Sequence, residues 1–509
     1  MSNARRYACL PMGLILFGCS TAMVPTVKMV PSPAPSVNRA VQVNVAEKEL
    51  PPQSTLATSK PFPNVSTGLL ANGMALDVIE RRGLPILSLS LVVNAGQVKD
   101  GNHAAVARTT AQLLEAGGAG RFTSESLRQS VDALGASLDT VTTRDTSRFS
   151  LSVTSDKLPE ALEILSALAL QPKFERSEFA KLRARELERV RSLAKENGAW
   201  LAQFVLHREL YAQPLGVHPY ASVDVLPSEL LRLTLDECRR FHKEQYVPGN
   251  ARLVAVGDID LPSLTSAAER AFGTWKGTQP VDIGIGAPLA PGKLTVTVVD
   301  RPLSAQSDIL VGFFGPSRGK PEFPTVAALQ QIIGGGVASR LFVDVREKRS
   351  LAYSTRAISQ ETATGPSVLS LGAGTQTAKT AETVGALLEN LDRMRSDPGD
   401  AKELEVAQSY LIRGMPANWE TVESLSGQLI LLRNLGQSDR HFDELRESIS
   451  KLTVDSLAKV AEHYYRKDQA IVVVAGDATA IGESLRKFGP VQILDPAREF
   501  VIKRKLDAL

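Results

Sequence analysis

Histidine is scarce in this sequence: there are six in 509 residues, His103, His207, His218, His242, His441 and His463, and no two are four apart. One helix face grips a zinc ion through a pair at that spacing, so no histidine pair of that kind exists. His441 and Glu444 begin an H-x-x-E spacing, but a leucine follows. Cysteine is scarcer still, with Cys9, Cys19 and Cys238, too few for a disulfide framework. Net charge is also small, at +3, which argues against nucleic-acid binding or a steering field. Hydrophobic residues at 43% and charged residues at 22% are ordinary for a globular chain. That length predicts two to four domains of roughly 100–200 residues each.

The first residues, "MSNARRYACLPMGLILFGC", place Arg5 and Arg6 before an acid-free apolar run and then Gly18-Cys19. A basic start, a greasy centre and a small residue predict a secretory signal over residues 1–18, and the run is short for a membrane span. The small residue before cysteine resembles a bacterial lipoprotein signal, with Cys19 acylated; the alternative is a cleaved signal without lipid. Ser20 after the cysteine resembles outer-membrane sorting. Cleavage before Cys19 would remove two arginines and no acid, leaving 56 basic and 55 acidic residues. Residues 19–64 hold eight prolines without an apolar period and predict a tether. Cys238 then has no partner and is expected to be a packed thiol.

Order is expected from residue 65. Asn72-Gly73 between alternating apolar runs predicts a hairpin. Residues 102–118 predict a helix stopped by glycine, 123–136 a helix capped by Thr123, and 174–199 one long charged helix. "PVDIGIGAPLAPGK" (280–293) has neither helix nor strand period and reads as a linker. "LTLDECRRFHKEQYVPGNARLVAVGD" from Leu233 aligns without a gap to "LTVDSLAKVAEHYYRKDQAIVVVAGD" from Leu452. Upstream, "DVIERRGLPILSLSLVVNAG" matches "TVVDRPLSAQSDILVGFFG" more loosely. The chain therefore reads as two copies of one α+β domain, 65–280 and 294–500, joined at 281–293 and each holding its own core.

The motifs "HPYASVDVLPSELLRLTLDECRRFHKEQYVPGNARLVAVGD" and "IGGGVASRLFVDVREKRSLAYS" resemble the M16 (pitrilysin/insulinase) zinc metallopeptidases over nearly everything after the tether. The resemblance implies two homologous domains of mostly antiparallel sheet packed with helices, forming an arc, a fold also similar to LuxS-type metalloenzymes. It also implies an H-x-x-E-H zinc motif on an early helix, with a distal glutamate as third ligand. Here Arg108, Ala111 and Gln112 fill the motif positions. Arginine repels zinc, alanine has no donor, and glutamine is neither a good ligand nor a base. The distal glutamate matches Glu188, or Glu186 if the register slips by two. Arg346 and Tyr353 match the Arg/Tyr pair that the family's C-terminal half brings to its active site. A tyrosine hydroxyl can donate to an oxyanion, and an arginine fork can hold a neighbouring carbonyl.

The resemblance then implies a non-catalytic subunit of a heteromeric zinc peptidase, most simply a heterodimer. Such a subunit holds no zinc itself, contributes Arg346 and Tyr353 to peptide substrate, and relies on a partner carrying H-x-x-E-H and the zinc. With Cys19 acylated, it would sit on the periplasmic face of the outer membrane of a bacterial envelope, with no nucleic-acid role. One alternative is a structural or peptide-holding scaffold in which the pair does nothing. Another is an autonomous peptidase with a relocated metal site.

Overall fold

The computed structural model describes residues 61–101, 103–213, 216–281 and 284–509. Cys19, the signal-like segment and most of the proline-rich stretch lie outside the described residues. Fifteen strands form two large sheets and one small ladder among them. The first sheet comprises β1 (Ser66–Leu69), β2 (Ala75–Glu80), β3 (Ile86–Val93), β4 (Leu138–Thr142), β5 (Ser147–Thr154) and β8 (Ala251–Gly257), in the order β1-β2-β8-β3-β5-β4. Between β5 and β8 in the chain, β6 (Ala212–Gln213) pairs only with β7 (Gly216–Val217). The second sheet comprises β9 (Thr295–Asp300), β10 (Gln306–Gly315), β11 (Ala352–Gln360), β12 (Ser367–Gln376), β13 (Ile471–Gly476), β14 (Val491–Asp495) and β15 (Val501–Leu506), in the order β11-β12-β10-β13-β9-β14-β15.

The two orders superimpose. β4-β5-β3-β8-β2 and β11-β12-β10-β13-β9 have the same pairing senses, antiparallel except for β2 with β8 and β9 with β13. The long sequence repeat is the reason. It makes the helices Leu235–Gln245 and Val454–Tyr464, each opened by a threonine cap, Thr234 or Thr453, and each leading into a central strand, β8 or β13. Asn72-Gly73 closes the β1–β2 hairpin, with Gly73 at φ 89°, a backbone state that glycine adopts without steric cost. Thr123 caps Ser124–Ala133, and Gly117 ends Val106–Ala116.

Two expectations change. The charged helix is two helices, Arg176–Glu196 and Gly198–Leu210, because Asn197 leaves helical geometry and its side chain caps the second by accepting from Trp200 N at 2.9 Å. Nor does each half keep its core to itself. One face of each sheet packs against helices of its own half. The other face is covered by a helix from the opposite half. Gly198–Leu210 lays Leu201, Phe204 and Leu206 against β10 and β13, and Val422–Asn434 lays Leu425 and Leu429 against β3 and β8. Gly312 on β10 permits the first approach, since a Cβ there would stand 2.5 Å from Leu206. Each crossing helix also plants a polar side chain on the equivalent strand. Arg433 reaches Asp77 on β2, and Glu209 accepts from Thr297 on β9 at 2.6 Å.

Candidate functional site

The helix with the degenerate motif begins where Asp100 accepts hydrogen bonds from the Ala107 and Ala105 amides, at 2.8 and 3.2 Å. Burial pushes that carboxyl up to about 7. Ala111 is fully buried in the core behind the helix, and Gln112 is half-buried with its Oε1 unpartnered. Arg108, at the first motif position, points into a cluster of charges. Its Nη1 lies 3.1 Å from Asp224 Oδ1 and its Nε 3.6 Å from Glu186 Oε2. Arg189 completes the cluster, with its fork on Asp224 at 2.9 and 2.8 Å and its Nε on Glu186 at 2.9 Å. Trp200 Nε1 donates to Asp224 at 3.1 Å.

Two guanidinium groups and two carboxylates balance, and both carboxylates are nearly buried, Glu186 at 8% and Asp224 at 5% exposed. Burial works against the Asp224 charge, but the hydrogen bonds from Arg189 and the charge of Arg108 outweigh it and hold its pKa below the usual range. Burial likewise opposes the Arg189 cation, and Asp224 and Glu186 reverse that and raise its pKa. No group of three or more metal-ligating side chains occurs among the described residues. The side chains at the motif positions do not fit zinc: a fixed cation occupies the first, and the nearby acids are already bonded to arginine.

Of the two glutamates expected near this helix, the structure brings only Glu186 to Arg108 among the described residues. Phe179, Leu182, Glu186 and Val190 form the buried stripe of Arg176–Glu196, whereas Glu188 lies about 200° around the helix from Glu186. Its side chain is 80% exposed and comes only within 4.0 Å of Arg191. Glu186 is therefore the acid brought to Arg108. Asp224, Arg189 and Trp200 were not legible as members of this cluster, because nothing in "SVDVLPSELL" or in a mixed charge run marks a buried partner.

In the second half, the segment after Gly334–Gly336 separates its arginines by role. Arg340 is anchored, with Glu403 at 2.7 and 2.6 Å and Asp397 at 3.1 Å. Arg349 bonds Asp344 and Glu389 at 3.1 and 2.7 Å. Arg346 is exposed and, among the described residues, meets only the Phe342 ring, 4.7 Å from its centroid. It belongs to a π-helical stretch, Phe342–Lys348, a wide turn that recurs at functional sites. Ser350, at φ 49°, turns the chain into β11. Tyr353 is the extra residue of a β-bulge on that edge strand, 53% exposed, its hydroxyl donating to Gln306 Oε1 at 3.2 Å. Cys238 is fully buried, and burial pushes its thiol up to about 12.

A chain of contacts links the first-half cluster to this segment. The helix that carries Glu186 and Arg189 ends at Glu196, roughly 10 Å beyond Arg189 along its axis. There the Glu196 carbonyl accepts from Arg301 Nη2 at 3.1 Å. Arg301 precedes β10, whose first residue, Gln306, holds Tyr353.

The family "Insulinase (Peptidase family M16)" matches residues 80–220, and "Peptidase M16 inactive domain" matches 232–411. Together they cover more than half of the chain. An uncharacterized zinc protease of Mycobacterium tuberculosis is 24% identical over 371 residues, covering 71% of this chain and 82% of its own. The crystal structure of a peptidase M16 inactive domain from Pseudomonas fluorescens superimposes with a TM-score of 0.75 at 25% identity, over 81% of this chain and 98% of that one. A protease from Helicobacter pylori shares the fold, with a TM-score of 0.73 at 18% identity, over 82% and 100% of the two chains.

Proposed function

This chain belongs to the M16 (insulinase) peptidase family, and from that premise we propose that it is the non-catalytic subunit of a two-chain zinc peptidase. In this reading a partner with an intact H-x-x-E-H motif holds the metal, which supplies the attacking hydroxide. Tyr353 donates its hydroxyl to the oxyanion formed at the scissile carbonyl, and Arg346 fixes a neighbouring carbonyl of the peptide. The supporting observation is the contrast in charge pairing: Arg108 is locked with Glu186 and Asp224 where a ligand would be needed, while Arg346 has no ion pair among the described residues. The lipoprotein-like sequence at Cys19 extends the reading to a subunit tethered to a bacterial envelope membrane.

The test is reconstitution. Purified alone, the chain should carry no stoichiometric zinc and cleave no peptide. Mixed with an H-x-x-E-H chain that copurifies from the native membrane, it should support cleavage. Tyr353→Phe should lower turnover of the pair about 10²–10³-fold, the cost of one oxyanion donor, with the subunits still copurifying. Undiminished turnover would favour a scaffold in which the pair is idle, and chelator-sensitive cleavage by the lone chain would defeat both readings.

A further inference from the structure

The Gly198–Leu210 helix covers only part of the sheet face on which it packs. Beside it, the margin formed by β10, β12 and the edge strand β11 stays open. A cavity of about 300 Å³ lies there, lined by Asn197 and Gln203 on one side and Arg356 and Gln360 on the other. A second, of about 420 Å³, shares Asn197 and Ala199 with it and extends to Gln306 and Asp308. Since Gln306 holds the Tyr353 hydroxyl, this groove leads to the tyrosine assigned to the peptide.

The register explains how Arg356 and Tyr353 share the groove. Residues three apart on a regular strand point to opposite faces. Here Ser354 pairs with Gly374 and Arg356 with Gly372, and the bulge leaves Tyr353 as an extra residue, returning it to the face of Arg356. Both side chains lie across bare backbone. A Cβ on Gly372 would stand 3.2 Å from Arg356 Cγ and Nε, and one on Gly374 2.5 Å from the Tyr353 ring.

Arg356 is the one charged side chain lining the smaller cavity among the described residues. His207, also there, is kept neutral, its pKa lowered to about 3 by burial and by the charge of Arg144. Arg356 makes no hydrogen bond or ion pair with a described residue. Asp308 feels its charge but has Arg301 as its nearer cation, at 3.8 Å. A guanidinium fork held flat, half-buried and unpaired has the geometry to receive a carboxylate in two parallel hydrogen bonds.

We propose that Arg356 selects peptides that place a carboxylate in this groove, from an acidic side chain or from the peptide's own C-terminus. The inference rests on the reading of this chain as a peptide-binding subunit, and its test needs no partner. Four fluorescent decapeptides of one extended sequence, with Glu or Gln at a central position and a free or amidated C-terminus, are titrated against the full-length chain by anisotropy. The Glu peptide, the free-carboxylate peptide or both should bind about tenfold or more tightly than the neutral one. Which of them does so names the source of the carboxylate. Arg356→Gln should bring the affinities together while leaving that of the neutral peptide unchanged, and Arg356→Lys should keep part of the preference. Equal binding of all four peptides, binding of none, or a preference that survives Arg356→Gln overturns the proposal. Loss of turnover with Tyr353→Phe alongside any of those outcomes leaves the subunit reading standing. Arg356-dependent selectivity without a Tyr353 effect removes the subunit reading alone.

Discussion

Two corners of this molecule, one in each half, treat charge in opposite ways. Around Asp224 every guanidinium meets a carboxylate, and the acids are nearly buried. Around Arg346 and Arg356 the cations face solvent or an open groove, with no acid within ion-pair distance among the described residues. A saturated buried network has no valence left for a ligand and acts on stability. An unpaired arginine on a seated side chain adds little to stability and is available to bind. The difference separates a corner whose charges are used up within the fold from one whose cations are left without an acid among the described residues.

Breaking the closed corner gives the largest expected effect on folding. Asp224→Ala strands Arg108 and Arg189 beside Glu186 alone and removes the acceptor of Trp200, so it should cost about 3–5 kcal/mol in denaturant or thermal unfolding. A cost under about 1 kcal/mol would show that the network contributes no more than exposed pairs do.

The seams between the halves sharpen the comparison. Asp77 is fully buried with two cations, Arg252 and Arg433. Glu209, at the equivalent seam, has only neutral partners among the described residues, Thr297 and Gln492, and burial outweighs them to push its carboxyl up to about 7. The folded-state value lies above the unfolded one, so the stability held by protonated Glu209 is fully present below about pH 4.5 and is lost as pH rises through about 7. The shift corresponds to roughly 3 kcal/mol. The parent profile from pH 4.5 to 8 also carries a loss of the same sign from Asp100 and a gain of opposite sign from His207, His242 and His441, whose pKa values burial lowers, so the loss is read as the difference in unfolding free energy between the parent and Glu209→Gln, which should shrink as pH rises. An unchanged profile in the variant would mean that water or relaxation solvates the carboxylate in the folded chain.

Much of this was legible in the sequence, and what was not has physical reasons. The repeat fixed the shared strand order, because the apolar runs of β8 and β13 and the caps Thr234 and Thr453 are local signals. That Arg108, Ala111 and Gln112 are no zinc-ligand set was readable, because those side chains cannot perform that chemistry in any surroundings. The choice between Glu186 and Glu188 was not readable: a long helix rich in charge on every side hides its buried stripe until a neighbour is placed against it. Nor was the crossing of Gly198–Leu210 onto the other half's sheet, since an apolar helix does not encode which sheet it covers. The bulge that brings Tyr353 and Arg356 to one face depends on pairing with β12, a partner outside the local pattern.

The smallest expected effect is the one that isolates the open corner. Arg346 stacks on Phe342 and bonds no acid among the described residues, so Arg346→Ala removes an exposed cation–π contact and little else there. Such contacts contribute about 0.5–1 kcal/mol at exposed sites, and the variant should unfold within about that margin of the parent. In the reconstituted pair the same change should lower turnover well beyond what that loss of stability explains, because the peptide carbonyl loses its fork. A large loss of stability would place Arg346 with Arg340, as an anchor of the segment. Near-parental stability with reduced turnover would assign it to the bound peptide, since the one contact of Arg346 among the described residues, with Phe342, would not account for the change.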